Sequence, residues 1–169
     1  EAFARALLTD RLDALDDLAP TYVVGDALDP ESLCIAMRGC DIVFHAAAIS
    51  QYWRNTLSLL YAVNVIGTRN VLRCARAEGV ARVVLTSSVA VLGVPSAGGG
   101  LLNETASYTW PPGRFHYAHS KLLAEAEAQR AVAAGDDVVI VNPATVLGGR
   151  DINFVGGEIL RSAQRGFFR

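Results

Sequence analysis

The sequence predicts an α/β fold built on a doubly wound parallel sheet. Two observations point there. Short apolar runs alternate with longer stretches of helical period, at the spacing of β-α-β units. The apolar runs are also continuous rather than alternating, as in strands covered on both faces by helices.

Each element follows in turn. Tyr22–Val24 is a short β-prone run ending at Gly25-Asp26. Asp29-Pro30-Glu31 opens a helix, with proline near the first helical position and acidic residues in the first turn; it ends near Gly39. Asp41–Ala46 is a second strand. A long helix is predicted over 56–78, stopped by Gly79. Ala81–Thr86 is a third strand. Gly93–Gly113, rich in Gly, Pro, Ser and Thr, is a long loop expected to shape a pocket. A helix over 115–134, stopped by Gly135, leads into a fourth strand at Asp137–Asn142.

Composition narrows the function. The 169 residues are 51% hydrophobic and 19% charged, with a formal charge of -2. That balance excludes a disordered chain and gives no polycationic surface for nucleic acid. No apolar run is long enough for a membrane span, and no secretory signal pattern is visible, so a cytoplasmic protein is expected. Cys34, Cys40 and Cys74 lack metal-ligand spacing and are expected as reduced, buried thiols. The three histidines are equally dispersed, so no metal site is expected.

In a sheet of this class, ligands bind at the carboxyl ends of the strands. There the sequence places Gly25-Asp26, His45–Ala48, Thr86–Ser88 and Asn142–Thr145. The most informative local pattern is Tyr117-Ala-His-Ser-Lys121. On a helix, i and i+4 share a face. A lysine ammonium there favours the phenolate and lowers the tyrosine pKa, which suits proton exchange with a substrate oxygen. Hydroxyls at Thr86-Ser87-Ser88 can hold that oxygen. Asn64, inside a helix, can hold a water or a backbone carbonyl. The small residues Ala46, Ala47 and Ala48 let a flat ligand approach the backbone. Trp53, Trp110 and Phe115 flank the expected cleft, and His116 and His119 are expected on the solvent side of their helix.

Six segments carry a family resemblance: VVGDALDPESL (23–33), CDIVFHAAA (40–48), NVIGTRNVL (64–72), RVVLTSSVAVLG (82–93), YAHSKLLAE (117–125) and VVIVNPATVLGG (138–149). In this order and spacing the chain resembles the extended short-chain dehydrogenase/reductases, the NAD(P)-dependent epimerase/dehydratase group and its dihydroflavonol-reductase-like branch. The resemblance implies a Rossmann-like domain over residues 1–150 and the start of a substrate-binding lobe at 151–169. The first βα unit, with its GxxGxxG phosphate loop, is expected before residue 1. Leu8–Arg11 aligns too irregularly to assign cofactor preference to Asp10 or Arg11.

The resemblance also implies roles. Tyr117 would be the general acid/base, Lys121 its pKa-lowering partner and a ribose ligand, and Ser88, rather than Ser87, the residue orienting the substrate oxygen. Asn64 would support the active-site water and cofactor. Asp26 and Ala27 would contact the adenine, Ala46, Ala47 and Ala48 the ribose and pyrophosphate. Thr86, Asn142, Pro143 and Val146 would border the nicotinamide. The implied function is hydride transfer between NAD or NADP and a carbonyl or hydroxyl carbon of a small molecule, such as a nucleotide sugar or a flavonoid-like ketone. The alternative is a non-catalytic nucleotide sensor or scaffold on the same fold. A homodimer through the helices near 56–78 and 115–134 is expected, with Ala118, Ala124, Ala126 and Ala128 permitting close helix approach.

Overall fold

The computed structural model describes residues 21–50, 55–95, 100–111, 113–146, 161 and 163–166. The expectations for Leu8–Arg11, Trp53 and nearly all of 151–169 lie outside them. The described elements run α1 (Pro30–Met37), β1 (Ile42–His45), α2 (Leu57–Tyr61), a π-helical turn (Ala62–Gly67), α3 (Thr68–Ala77), β2 (Arg82–Thr86), a 3-10 turn (Val89–Leu92), α4 (His116–Ala133) and β3 (Val138–Val141).

The strands form a parallel sheet in the order β1-β2-β3. Val43 pairs with Val83, and Leu85 with Ile140. Arg82 pins the β2–β3 end by two hydrogen bonds to Asp137 Oδ2, at 2.9 and 2.7 Å. Right-handed crossovers through helices are what a parallel sheet requires, and the helix starts are encoded locally. Asp29 Oδ1 accepts the Glu31 N–H at 3.1 Å, with Pro30 at the first helical position. Thr56 Oγ1 accepts the Leu59 N–H at 3.3 Å and caps α2.

The core lies on one face of the sheet. Val43, Val83, Leu85, Val138 and Ile140 pack there against Leu33 and Met37 of α1, Val71, Leu72 and Ala75 of α3, and Ala128 and Ala131 of α4. Burial of such side chains contributes roughly 1.5–3 kcal/mol each. The described helices cover this face only. On the other, Ile42, Phe44, Val139 and Val141 are exposed, so the apolar strands are not buried on both sides within the described residues.

Three expectations change. Tyr22–Val24 is exposed and joins no ladder, because no described strand lies beside it to take its hydrogen bonds. The helix over 56–78 is interrupted at Ala62–Gly67, where one turn widens to π geometry. The cysteines are not three buried thiols. Cys34 and Cys74 are joined in a disulfide, Cα atoms 4.9 Å apart, because α1 and α3 cross at these positions; Cys40 is free and exposed.

Small residues set the closest approaches. Ala118, Ala124 and Ala128 are buried within this chain, so they serve its own helix packing rather than a partner's. A Cβ at Gly67 would lie 3.0 Å from the Ala27 Cβ, so glycine lets the 25–28 turn sit on the π segment. Gly93 has φ +84, and its position leaves no room for a Cβ against Thr109 N at 2.8 Å.

Candidate functional site

The site lies at the carboxyl ends of β1, β2 and β3, where α4 crosses. Beyond β2 the chain turns through Ser87 and Ser88. Ser88 Oγ accepts the Ala90 N–H at 3.2 Å and caps the 3-10 turn. The same residue lies close enough to the Tyr117 phenol to lower its pKa. Ser87 is 5% exposed, and its hydroxyl has no hydrogen-bond partner among the described residues. Of the two serines, Ser88 therefore faces the tyrosine.

Lys121 follows Tyr117 by one turn and is 4% exposed. Its Nζ donates to the Thr86 carbonyl oxygen at 2.6 Å, tying α4 to the end of β2. The expected lowering of the Tyr117 pKa by this ammonium is not what the fold produces. Burial pushes the phenol above its ordinary value, and the neighbouring Ser88 hydroxyl pulls it partly back. Burial lowers the Lys121 pKa, opposed by the nearby Glu125 carboxylate. The ammonium is directed at a carbonyl, and the phenol sits in a partly desolvated place.

Asn64 is 1% exposed and its carboxamide is committed within the protein. Oδ1 accepts the Ile49 N–H at 2.7 Å; Nδ2 donates to Ile49 O at 3.1 Å and to Ser120 Oγ at 2.9 Å. Ser120 Oγ in turn donates to the Tyr117 carbonyl at 2.7 Å. An amide nitrogen has two protons, and both are used, so Asn64 braces the site instead of presenting a donor to a ligand. The π turn displaces one residue from the α register, and such turns recur at functional sites.

The other sequence-selected residues divide in the same way. Asp26 is exposed; its Oδ1 accepts the Leu28 N–H at 2.8 Å, shaping the turn. Ala27 O accepts the Asn70 side-chain N–H at 3.0 Å. Ala46, Ala47 and Ala48 are exposed past the end of β1. Asn142 Nδ2 donates to Ser88 O at 3.2 Å and to Glu125 Oε1 at 2.7 Å, so it fixes the serine turn against α4. Pro143 O accepts the Val89 N–H at 3.1 Å, and Val146 is 76% exposed. Glu125, which no sequence pattern singled out, is the common neighbour of Asn142 and Lys121; only its i+4 distance from Lys121 hints at it.

An aromatic chain runs beside the tyrosine. Trp110 meets Phe115 edge-on with ring centres 5.2 Å apart, and Phe115 lies 5.9 Å from Tyr117. Trp110 Nε1 donates to Ala90 O at 3.0 Å, anchoring the loop to the serine turn. His116 and His119 both approach the Tyr61 hydroxyl, at 3.3 and 2.8 Å, with His119 exposed. Among the described residues no cluster of His, Cys, Asp or Glu could hold a metal ion, and no helix is long and apolar enough to cross a membrane.

The chemistry of these residues suits a dinucleotide. The alanine run leaves the end of β1 open to a flat ligand, and Thr86, Ser88 and Lys121 put hydroxyls and a cation at the end of β2. The glycine-rich pyrophosphate loop is not in the 169 residues.

Comparison with known proteins agrees with this reading. Residues 3–165 match the model of the NAD dependent epimerase/dehydratase family. A Synechocystis protein named "Putative dihydroflavonol 4-reductase" is 43% identical over 167 residues, covering 95% of this chain and 48% of the relative. Among solved structures, the dTDP-glucose 4,6-dehydratase DesIV of Streptomyces venezuelae, solved with NAD bound, has a TM-score of 0.71 at 28% identity, covering 84% of this chain and 44% of that one. RMD of Pseudomonas aeruginosa, complexed with NADPH, has a TM-score of 0.69 at 26% identity, covering 89% and 54%. The chain thus spans about half the length of the proteins it matches. With the strand ends, the serine turn and the Tyr117–Lys121 helix in place, and the match extending over most of its length, the chain belongs to the NAD-dependent epimerase/dehydratase family.

Proposed function

We propose that this chain carries the proton-transfer half of an NAD(P)-dependent oxidoreductase or epimerase acting on a carbonyl or hydroxyl carbon of a small molecule. The observation that carries this reading is the helix that places Tyr117 and Lys121 one turn apart over the serine turn, with Lys121 Nζ fixed to the Thr86 carbonyl at the end of β2.

When bound, the nicotinamide supplies or takes the hydride. The chain's own residues handle the oxygen. Ser88 holds it by a hydrogen bond, and Tyr117 gives its phenolic proton to it as the carbonyl becomes an alcohol, or takes that proton in the reverse direction. A phenol whose pKa is raised by burial stays protonated at neutral pH, which suits the reducing direction. Lys121, bound to the Thr86 carbonyl, ties the tyrosine helix to the end of β2 and so fixes where the phenol stands relative to the substrate oxygen. The Trp110–Phe115 wall supports a ketone with an apolar, flat body over a highly charged one.

The test is Tyr117→Phe in the full-length protein. Carbonyl reduction should fall by at least about 10²-fold, the low end of a general acid's contribution, with cofactor affinity within a few-fold of wild type. Undiminished turnover overturns the assignment. Cofactor binding with no hydride transfer from wild type, across ketones, sterols and nucleotide sugars, favours a sensor or scaffold instead. A homodimer along the outer faces of α3 and α4 belongs to the same proposal, and a monomer by light scattering overturns that part.

A further inference from the structure

The Ala46–Ala48 segment hangs between two anchors, and both are held by one helical stretch. Upstream, His45 closes β1; it is 5% exposed, and its Nε2 lies 2.9 Å from Thr68 Oγ1. Downstream, Ile49 exchanges two hydrogen bonds with the Asn64 carboxamide. Thr68 and Asn64 are four residues apart and joined directly, since the Thr68 hydroxyl donates to the Asn64 carbonyl at 2.7 Å. A hydroxyl has one proton. That proton being given to Asn64, the Thr68 oxygen accepts from His45, which assigns the imidazole proton to Nε2. From Asn64 the network continues through Ser120 to the backbone of Tyr117.

We propose that Thr68, with His45 behind it, is a positioning residue. Together they hold the Ala46–Ala48 segment, where the dinucleotide would lie, in register with the helix that carries Tyr117 and Lys121. The inference rests on the proposed function only for what lies on that segment; the bracing itself is a property of this chain. Thr68 is 2% exposed, so removing its hydroxyl leaves the His45 N–H without its acceptor inside the protein, where an unmade hydrogen bond is costly. A valine of the same shape would fill the space and lose the link.

The experiment compares Thr68→Val and Thr68→Ser in the full-length protein. Two quantities are read: amide hydrogen exchange at Ile49 against Leu85 in β2, and the dissociation constants of NADH and NADPH. Thr68→Val should speed Ile49 exchange by on the order of tenfold while Leu85 moves much less. It should weaken cofactor binding by a similar factor, with kcat at saturation within about threefold. Thr68→Ser should restore both. The proposal is overturned if valine leaves Ile49 exchange unchanged, if Leu85 accelerates as much as Ile49, or if serine fails to rescue. A wild-type protein that binds neither nucleotide refutes the cofactor reading instead, and the Ile49 measurement still decides the bracing.

Discussion

Acid should weaken this fold through His45 before it reaches the carboxylates. His45 titrates at about 4 rather than 6.5, chiefly because burial disfavours its charged form and secondly because the Lys121 ammonium repels it. The unfolded chain therefore binds a proton at this residue below pH 6.5 that the folded chain refuses until about pH 4. Stability from this residue is fully present above 6.5 and is lost as pH falls through that window. At roughly 1.4 kcal/mol per pH unit, the gap is worth about 3 kcal/mol. Typical domains have about 5–15 kcal/mol in all. The paired carboxylates enter lower, since Glu127 and Asp137 are held below their ordinary values, 4.5 and 3.8, first by hydrogen bonds from Arg69 and Arg82. The assay is urea unfolding at steps from pH 7.5 to 4.5 on wild type and His45→Gln, in which the amide keeps an N–H for Thr68 but cannot titrate. The wild-type free energy should fall by about 2–3 kcal/mol relative to the variant over this range. Parallel curves for the two proteins refute the reasoning.

Two further outcomes follow from the site and its turn. Ser88→Ala should cost on the order of 10²-fold in kcat with little change in cofactor affinity, whereas Ser87→Ala should leave turnover intact and stability equal or higher, because it removes a buried hydroxyl that has no partner among the described residues; equal effects in steady-state assays would contradict the division of roles. Gly67→Ala gains up to about 1 kcal/mol of helix propensity but forces a methyl to 3.0 Å from the Ala27 Cβ. The overpacking term, about 1–3 kcal/mol, should win in thermal unfolding, and Ala27→Gly in the same chain should relieve it.

What was legible in the sequence was mostly local. The strand at Asp41–Ala46 appears as Ile42–His45, and the helix over 115–134 as His116–Ala133, because apolar runs, Pro30, Gly79 and Gly135 act within a few residues. The turn at Ser87-Ser88 after β2 is legible for the same reason. The rest depends on partners far along the chain. Tyr22–Val24 is β-prone, yet pairing decides a strand. The π turn at Ala62–Gly67 hides inside a pattern that reads as ordinary helix. The Cys34–Cys74 bond joins residues 40 apart, and spacing gives no sign of it. The Tyr117–Lys121 spacing displays the lysine's charge but neither the burial of the phenol nor the Thr86 carbonyl that accepts the lysine's hydrogen bond. Asn64 reads in the sequence as a polar residue in a helix; that its amide is spent on Ile49 and Ser120 is a long-range fact.

The π turn makes the length of this helix a functional variable. An α turn closes with one residue fewer, so losing any one residue between Ala62 and Gly67 offers the backbone an unbroken α-helix from Leu57 to Ala77. Local hydrogen bonding would improve, and because the turn would close with one residue fewer, the residues beyond it would keep nearly their present angle to those before it. Thr68, Arg69 and Asn70 would stay facing His45, Glu127 and the Ala27 carbonyl, while the wide turn that sets Asn64 against Ile49 and Ser120 would be gone. A homologue one residue shorter at this point therefore keeps both ends of the helix and loses the brace in its middle.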